Sequence, residues 1–306
     1  MIGEIRTLGT YNNLNFTGGE MTNYSLWLVE YGKGLNQARS WAIAGEHNKG
    51  LIENTPFTYL VGRGEGHTFL IDVGFDDNSR THEMLVSFGV TAYENPENCL
   101  RKLGIKPGEI DTIFLTHAHF DHAGNLEAFP NATFYLQKKE LYDWINWLSL
   151  PERLQYFSFP IDKQNISELV ELAINNRCVL VDGEMKDVLP GINLIPAFDT
   201  HSFGLQYVSI MNGSDKWVCV SDNAHEYENI TGINNDGIIR PVSFLTGSYE
   251  KTIISLDNAL HLANDINHLI LFHAQGTFDR FPSKVFEDGL RISELTLAVG
   301  QPSLIQ

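Results

Sequence analysis

DTIFLTHAHFDHAGN, residues 111–125, is the stretch that decides how the chain folds and what it can do. Its first half, Asp111 to Thr116, is a short apolar run with β-branched residues, the composition of a buried strand. Its second half sets three of the chain's 11 histidines and one aspartate within six residues. Alternate side chains at a strand end point to one side. His117 and His119 can therefore face one cation, while Asp121 and His122 lie where a turn can aim them at a second. Imidazole and carboxylate donors suit zinc first, with iron, manganese and cobalt tolerated by the same set. A closed structural zinc site usually includes thiolates, and none is present here, so an open, reactive site is favoured.

Four side chains from one segment do not complete two coordination shells, so distant partners are expected. Three further apolar runs end directly on a residue of ligand type. His201 follows Ile192–Ala197, Asp222 follows Trp217–Ser221, and His273 follows His268–Phe272. A lone His or Asp after a strand is usually a turn residue, but here each repeats the pattern of the central motif.

The rest of the composition narrows the class. Among 306 residues, 43% are hydrophobic and 19% charged, ordinary values for a globular chain. With 38 acidic and 21 basic side chains the net charge is −17, which disfavours nucleic acid and anionic membrane surfaces as partners. Cys99, Cys178 and Cys219 form no C-x-x-C pair, and an odd number suits no complete disulfide framework. They read as reduced core thiols of a cytoplasmic protein. The opening residues, MIGEIRTLGTYNNLNF, lack the basic and apolar regions of a secretory signal. No run approaches the roughly 20 apolar residues of a membrane span.

Strands are expected at 24–31, 57–62, 67–73 and 132–137, with an irregular excursion between the first two at 32–56. Helices are expected over 96–103, 138–148 and 166–175. Short strands follow at 177–182, 185–189, 192–197, 205–211 and 216–221, with Asn212-Gly213 as a hairpin signal. A helix over 251–265, a strand over 267–272 and a closing helix near 284–295 complete the chain. Strand clusters flanked by helices in both halves predict two sheets with helices outside. Residues 142–159 carry Tyr142, Trp144, Trp147, Tyr156, Phe157 and Phe159. Helix packing or a subunit interface is the simpler reading, and an apolar wall for a substrate is the other. Trp41 is open to the same two readings.

HAHFDH, with Asp72, His201, Asp222 and His273 in that order around it, resembles the motif set of the metallo-β-lactamase superfamily. Within it, HAHFDHAGN, EAFPNATFYLQKKEL and SDNAHEYEN look most like the N-acyl homoserine lactonase group. The resemblance implies an α/β fold, the four-layered αββα sandwich, as a single domain over 1–306 with insertions near 32–56 and 138–175. It implies two divalent metal ions, zinc by default. His117, His119 and His201 would hold the first, Asp121, His122 and His273 the second, and Asp222 both. Asp72 would orient the histidine loop behind the ligands. Retention of His119 favours hydrolysis over iron redox chemistry. The implied reaction is attack of a metal-bridging hydroxide on a lactone or other ester, with Asp121 as proton carrier. The alternatives are a thioester, phosphodiester or β-lactam hydrolase on the same scaffold, or a metal-binding protein without catalysis. A homodimer is a further expectation. Two positions depart from the lactonase pattern. His225 stands where many members have a tyrosine that touches the substrate carbonyl, and Ala274 follows the last histidine in place of an aspartate. His225 is the candidate to replace that tyrosine as a hydrogen-bond donor.

Overall fold

The computed structural model describes residues 22–47, 49–76 and 79–305, so the opening segment judged free of a secretory signal lies outside the described residues. The strands are, in chain order, β1 (Tyr24–Ala38), β2 (Leu51–Gly64), β3 (His67–Ile71), β4 (Val90–Tyr93), β5 (Thr112–Phe114), β6 (Thr133–Gln137), β7 (Cys178–Val181), β8 (Met185–Leu189), β9 (Ile192–Pro196), β10 (Gln206–Asn212), β11 (Asp215–Cys219), β12 (Leu269–Ile270), β13 (Ser283–Val285) and β14 (Arg291–Thr296). The helices are α1 (Arg39–Ala42), α2 (Ser79–Ser87), α3 (Pro96–Lys102), α4 (Lys138–Leu148), α5 (Lys163–Ile174), α6 (Glu228–Thr231), α7 (Tyr249–Leu262) and α8 (Gln275–Arg280).

The strands form two sheets, one in the order β13-β14-β1-β2-β3-β5-β6-β7 with β4 on β1, the other β12-β11-β10-β9-β8. Period-two alternation explains how they stack. On β1, Leu26 and Leu28 face one apolar seam and Trp27, Val29 and Tyr31 the other. On β11, Trp217 and Cys219 enter the first of these seams, while Val218 turns to a third. The shared seam lies between the sheets. The other two are closed by helices, through Leu141 and Trp144 of α4 with Leu169 of α5 on one side and Leu256 and Ala259 of α7 on the other. The result is the αββα order of layers. The three cysteines are free and buried in these seams. Among the described residues no helix is long and apolar enough to cross a membrane.

Strand direction positions the site. β3, β5 and β6 run parallel, as do β11 and β12, and β9 is antiparallel to β10, which is antiparallel to β11. The carboxyl ends of β3, β5, β9, β11 and β12 therefore lead into loops that meet at the sheet ends.

Three expectations need correction. Residues 32–56 are not an irregular excursion: β1 and β2 stay paired from Tyr24–Gly64 out to Ala38–Leu51, forming a long arm tipped by α1. Gly32 and Gly34 hid this, because their bare backbones let Phe75 and Phe57 approach within 3.3 and 3.2 Å of where a Cβ would stand. The closing helix near 284–295 is instead the β13–β14 hairpin, turning at Gly289 with φ +82° and adding a strand to β1. Helical spacing in ISELTL loses to the unpaired edge that β1 offers. The run at 267–272 is strand only at Leu269–Ile270.

The corrected hairpin makes a testable contact. Arg291 donates two hydrogen bonds to Glu30, at 2.7 and 2.6 Å, and Glu30 is fully buried. Arg291→Met is expected to destabilise the fold by on the order of 2–3 kcal/mol, reduced from the full cost of an orphaned buried charge because Arg291 is partly exposed. Lys33 also stays 3.5 Å from Glu30. Urea unfolding midpoints would check this, and the double variant Glu30→Met/Arg291→Met should recover most of the loss.

Candidate metal centre

The loop after β5 is drawn inward by a buried carboxylate. Asp72, one residue beyond β3, sits at φ +63°, a left-handed conformation that a non-glycine residue keeps only when its surroundings impose it. Its Oδ1 accepts from Thr116 N at 2.7 Å, and its Oδ2 accepts from Thr116 Oγ1 at 2.6 Å and His122 Nδ1 at 2.7 Å. Because the Thr116 hydroxyl is committed to Asp72, His117 Nδ1 must be the donor in its 3.0 Å contact with Thr116 Oγ1. His201 Nδ1 donates to the Phe244 carbonyl and His273 Nδ1 to the Pro56 carbonyl, both at 2.9 Å. In these four rings the proton is thereby fixed on Nδ1 and the Nε2 lone pair is left to face inward.

Those lone pairs converge. Ligand-type atoms of His117, His119, His201 and Asp222 lie within 4.8 Å of one another, and so do those of Asp121, His122, Asp222 and His273. All seven side chains are buried. Asp222 belongs to both sets. Its Oδ2 is 3.5 Å from His201 Nε2, and its Oδ1 is 3.3 Å from His122 Nε2 and from His273 Nε2. Asp121 Oδ2 lies 3.4 Å from the same two nitrogens.

The donor set fits two cations. Nε2 of His117, His122 and His273 is buried with no hydrogen-bond partner. His119 Nδ1 and His201 Nε2 face each other at 3.1 Å. Two nitrogen lone pairs repel at that distance unless a proton or cation lies between them. Tetrahedral zinc with bonds of about 2.0–2.1 Å would set its donors roughly 3.3–3.4 Å apart, close to what is seen.

The electrostatics agree. Burial alone would depress His122, yet Asp222, Asp121 and Asp72 together push it well above the ordinary imidazole value. His273 is likewise driven up to about 10, its burial outweighed by Asp222 and Asp121. Burial holds His117 and His119 well below that value, with neighbouring histidines adding to it. Asp121 and Asp222 are held low against burial, chiefly by His122. The cluster thus demands positive charge beside its carboxylates, which two divalent cations would provide.

Glu140 was not legible as a site residue. It is fully buried at the start of α4, where Oε1 accepts from Ala118 N (2.9 Å), Trp144 Nε1 (2.8 Å) and Ser202 Oγ (2.6 Å) and Oε2 from Gly204 N (2.6 Å). It ties the loop of His117 and His119 to the loop of His201. The available signal was its place four residues before Trp144, which put a carboxylate on the apolar face of the helix. Trp144 packs edge-on to His119 with centroids 5.9 Å apart, and Phe159 reaches the cleft above the cluster. The aromatic segment 142–159 therefore divides between helix packing and cleft wall.

His225 lies at the cluster but behind Trp41, with ring centroids 4.4 Å apart. Both its ring nitrogens lack a hydrogen-bond partner, and its Nε2 is 3.5 Å from Asp222 Oδ2. It does not line the cleft.

The sequence model of the metallo-beta-lactamase superfamily matches residues 53–266. The chain belongs to that superfamily. Among curated proteins, the N-acyl homoserine lactonase AiiB of Agrobacterium fabrum is 25% identical over 142 residues, covering 46% of this chain and 50% of AiiB. The lactonase AiiA of Bacillus thuringiensis subsp. kurstaki is 30% identical over 101 residues, 30% of this chain and 40% of AiiA. The chain aligns over about half the length of these curated relatives or less. Among solved structures, a quorum-quenching N-acyl homoserine lactone lactonase superposes with a TM-score of 0.62 at 20% identity, over 85% of this chain and 96% of that one. AidC, a dizinc quorum-quenching lactonase, gives 0.61 at 21% identity over 89% and 94%. At such identities the structural likeness is one of fold.

If Asp72 orients the superfamily motif, Asp72→Asn should leave the fold intact but weaken cation retention roughly 10- to 100-fold. Competition with a chromogenic chelator measures this. Retention equal to wild type would remove Asp72 from that role.

Proposed function

We propose that this chain is a dinuclear metal-dependent hydrolase that opens a lactone or related carboxylic ester. One observation carries the reading: a single buried carboxylate, Asp222, turns one oxygen to each of two His/Asp sets. His117, His119 and His201 would hold the first cation with Asp222 Oδ2. Asp121, His122 and His273 would hold the second with Asp222 Oδ1. When bound, a cation pair of this kind supplies Lewis acidity and lowers the pKa of water, giving a nucleophile near neutral pH. Zinc is the cation that the imidazole-rich set favours.

The chain's own groups supply the rest. Asp121 points Oδ2 at His122 and His273, which leaves Oδ1 to carry a proton. Tyr31 donates to the Asp121 backbone carbonyl at 2.6 Å and fixes the residue in place. A water oxygen forms the new bond to the carbonyl carbon, the bond from that carbon to the ring oxygen breaks, and Asp121 Oδ1 delivers the water's proton to the departing oxygen. The product is a hydroxy acid. N-acyl homoserine lactones are candidate substrates because the curated relatives act on them by name. With Trp41 over it, His225 serves as a positioning residue for Asp222 and does not reach the substrate carbonyl.

The test is proton release from a panel of γ-lactones and acyl homoserine lactones, run as purified, after chelation and after zinc return. Activity should vanish with chelator and come back with zinc, and Asp121→Asn should lower kcat by about 10²- to 10⁴-fold. Two bound cations with no lactone turnover would sink the lactonase reading and send the search to thioesters, phosphodiesters and β-lactams. His225→Phe should lower kcat with KM unchanged and both cations retained; kcat equal to wild type would take His225 out of the mechanism.

A further inference from the structure

The cleft over the metal-facing groups is nearly shut. It encloses about 20 Å³, roughly the room that a single water needs. A lactone or ester carbonyl therefore reaches the cluster only when a wall moves. The aromatic walls are Trp41, Phe57, Phe88, Phe120, Phe159 and Phe244, and they are not held alike. Phe57, Phe88 and Phe120 are buried. Phe120 stacks on Phe75 and Phe88 with ring centroids 6.0 and 5.9 Å apart, and Phe57 lies edge-on to Phe75 at 5.9 Å and to His273 at 5.0 Å. Trp41 packs on Phe88 at 5.7 Å and on His225 at 4.4 Å, and its carbonyl accepts from Ser243 N at 3.3 Å. The Phe244 carbonyl is tied to His201 Nδ1 at 2.9 Å. Rings that pack on several other rings give up favourable contacts in every direction when they move.

Phe159 differs. It is 46% exposed, the most of the six. Its ring meets Phe88 at 5.3 Å and Phe244 at 6.2 Å. It also lines a second, open hollow of about 400 Å³, together with Tyr156, Ser158 and Lys163. A ring shared by a shut chamber and an open groove has space to move into. The backbone around it is pinned. Ser158 N donates to the Gln155 carbonyl and Ile161 N to the Ser158 carbonyl, both at 3.0 Å, and Phe120 N donates to the Pro160 carbonyl at 2.9 Å. The available movement is thus a rotation of the side chain, which is fast for an exposed residue, and not the lifting of a loop.

We propose that Phe159 is the gate and the specificity-determining residue of this site. Its ring swings into the outer groove to admit substrate, and the bulk carried beside the reacting carbonyl sets how readily that substrate passes. The inference rests on the two-cation reading above. Bulk matters because the other walls stay in place, so the opening is one side chain wide. When closed, the same ring keeps solvent from the cluster.

The experiment mixes the cobalt-loaded full chain with azide, a thin ligand, or with benzohydroxamate, a metal ligand that carries a ring. Entry is followed by the change in visible cobalt absorption. Phe159→Ala is expected to admit benzohydroxamate about tenfold faster than wild type or more and Phe159→Trp about tenfold slower, with azide entry changed less than about threefold and cobalt content equal throughout. The readout needs no turnover, so the gate is tested even where no lactone is hydrolysed. Failure of every form to take up cobalt would remove the metal reading and the gate with it. Cobalt bound, but benzohydroxamate entry unchanged in Phe159→Ala, would overturn the gate alone. So would equal acceleration of both ligands, the mark of a chamber loosened as a whole.

Discussion

A carboxylate sealed from water has to be matched on every side, and Asp72 is where this fold meets that demand. Taking such an ion out of water costs several kcal/mol, and only partners with good geometry offset it. Here the partners are the backbone and hydroxyl of Thr116 and the ring of His122. Each is bound up in turn with the cluster. Thr116 Oγ1 also meets His117 Nδ1 at 3.0 Å and Ser221 Oγ at 2.9 Å, and Ser221 precedes Asp222. One buried charge thus fixes the tautomers of two histidines and links the loops after β3, β5 and β11. Ser221, like Asp72, sits in the left-handed region, at φ +48°. Two strained residues beside one hydroxyl are tolerated because the network around them over-determines their positions.

How much of this was legible follows from the same physics. A ligand at a strand end leaves a double signature, an apolar run and then an isolated His or Asp. Four such junctions, at His117, His201, Asp222 and His273, could be read without knowing how the strands pair. Pairing itself leaves a weaker trace. The β1–β2 arm was hidden by Gly32 and Gly34, which look like loop residues but lie under the close approach of Phe75 and Phe57. The β13–β14 hairpin was hidden because the edge of β1, distant in sequence, decides its conformation. Glu140 was hidden for another reason. Its four donors come from α4 and from two loops that meet only in the folded chain, so its local pattern is that of any amphipathic helix.

His225 is held at the cluster by the ring of Trp41. An imidazole cannot reach as far as a phenol from the same backbone position. Here it stays under Trp41 with Nε2 toward Asp222 Oδ2, and burial holds it below the usual imidazole pKa. A neutral ring beside Asp222 competes less with cations for that carboxylate than a charged one would.

The aromatic walls and the charged cluster then act on each other. Coulombic forces grow as water is excluded, so a cleft closed by Trp41, Phe88, Phe159 and Phe244 strengthens the field of any cation pair beneath it. The same exclusion raises the cost of an uncompensated Asp121 or Asp222, which strengthens the cluster's demand for positive charge. Trp41 stands at the boundary between the walls and the cluster, its ring 4.4 Å from that of His225 and edge-on to that of His273 at 6.0 Å.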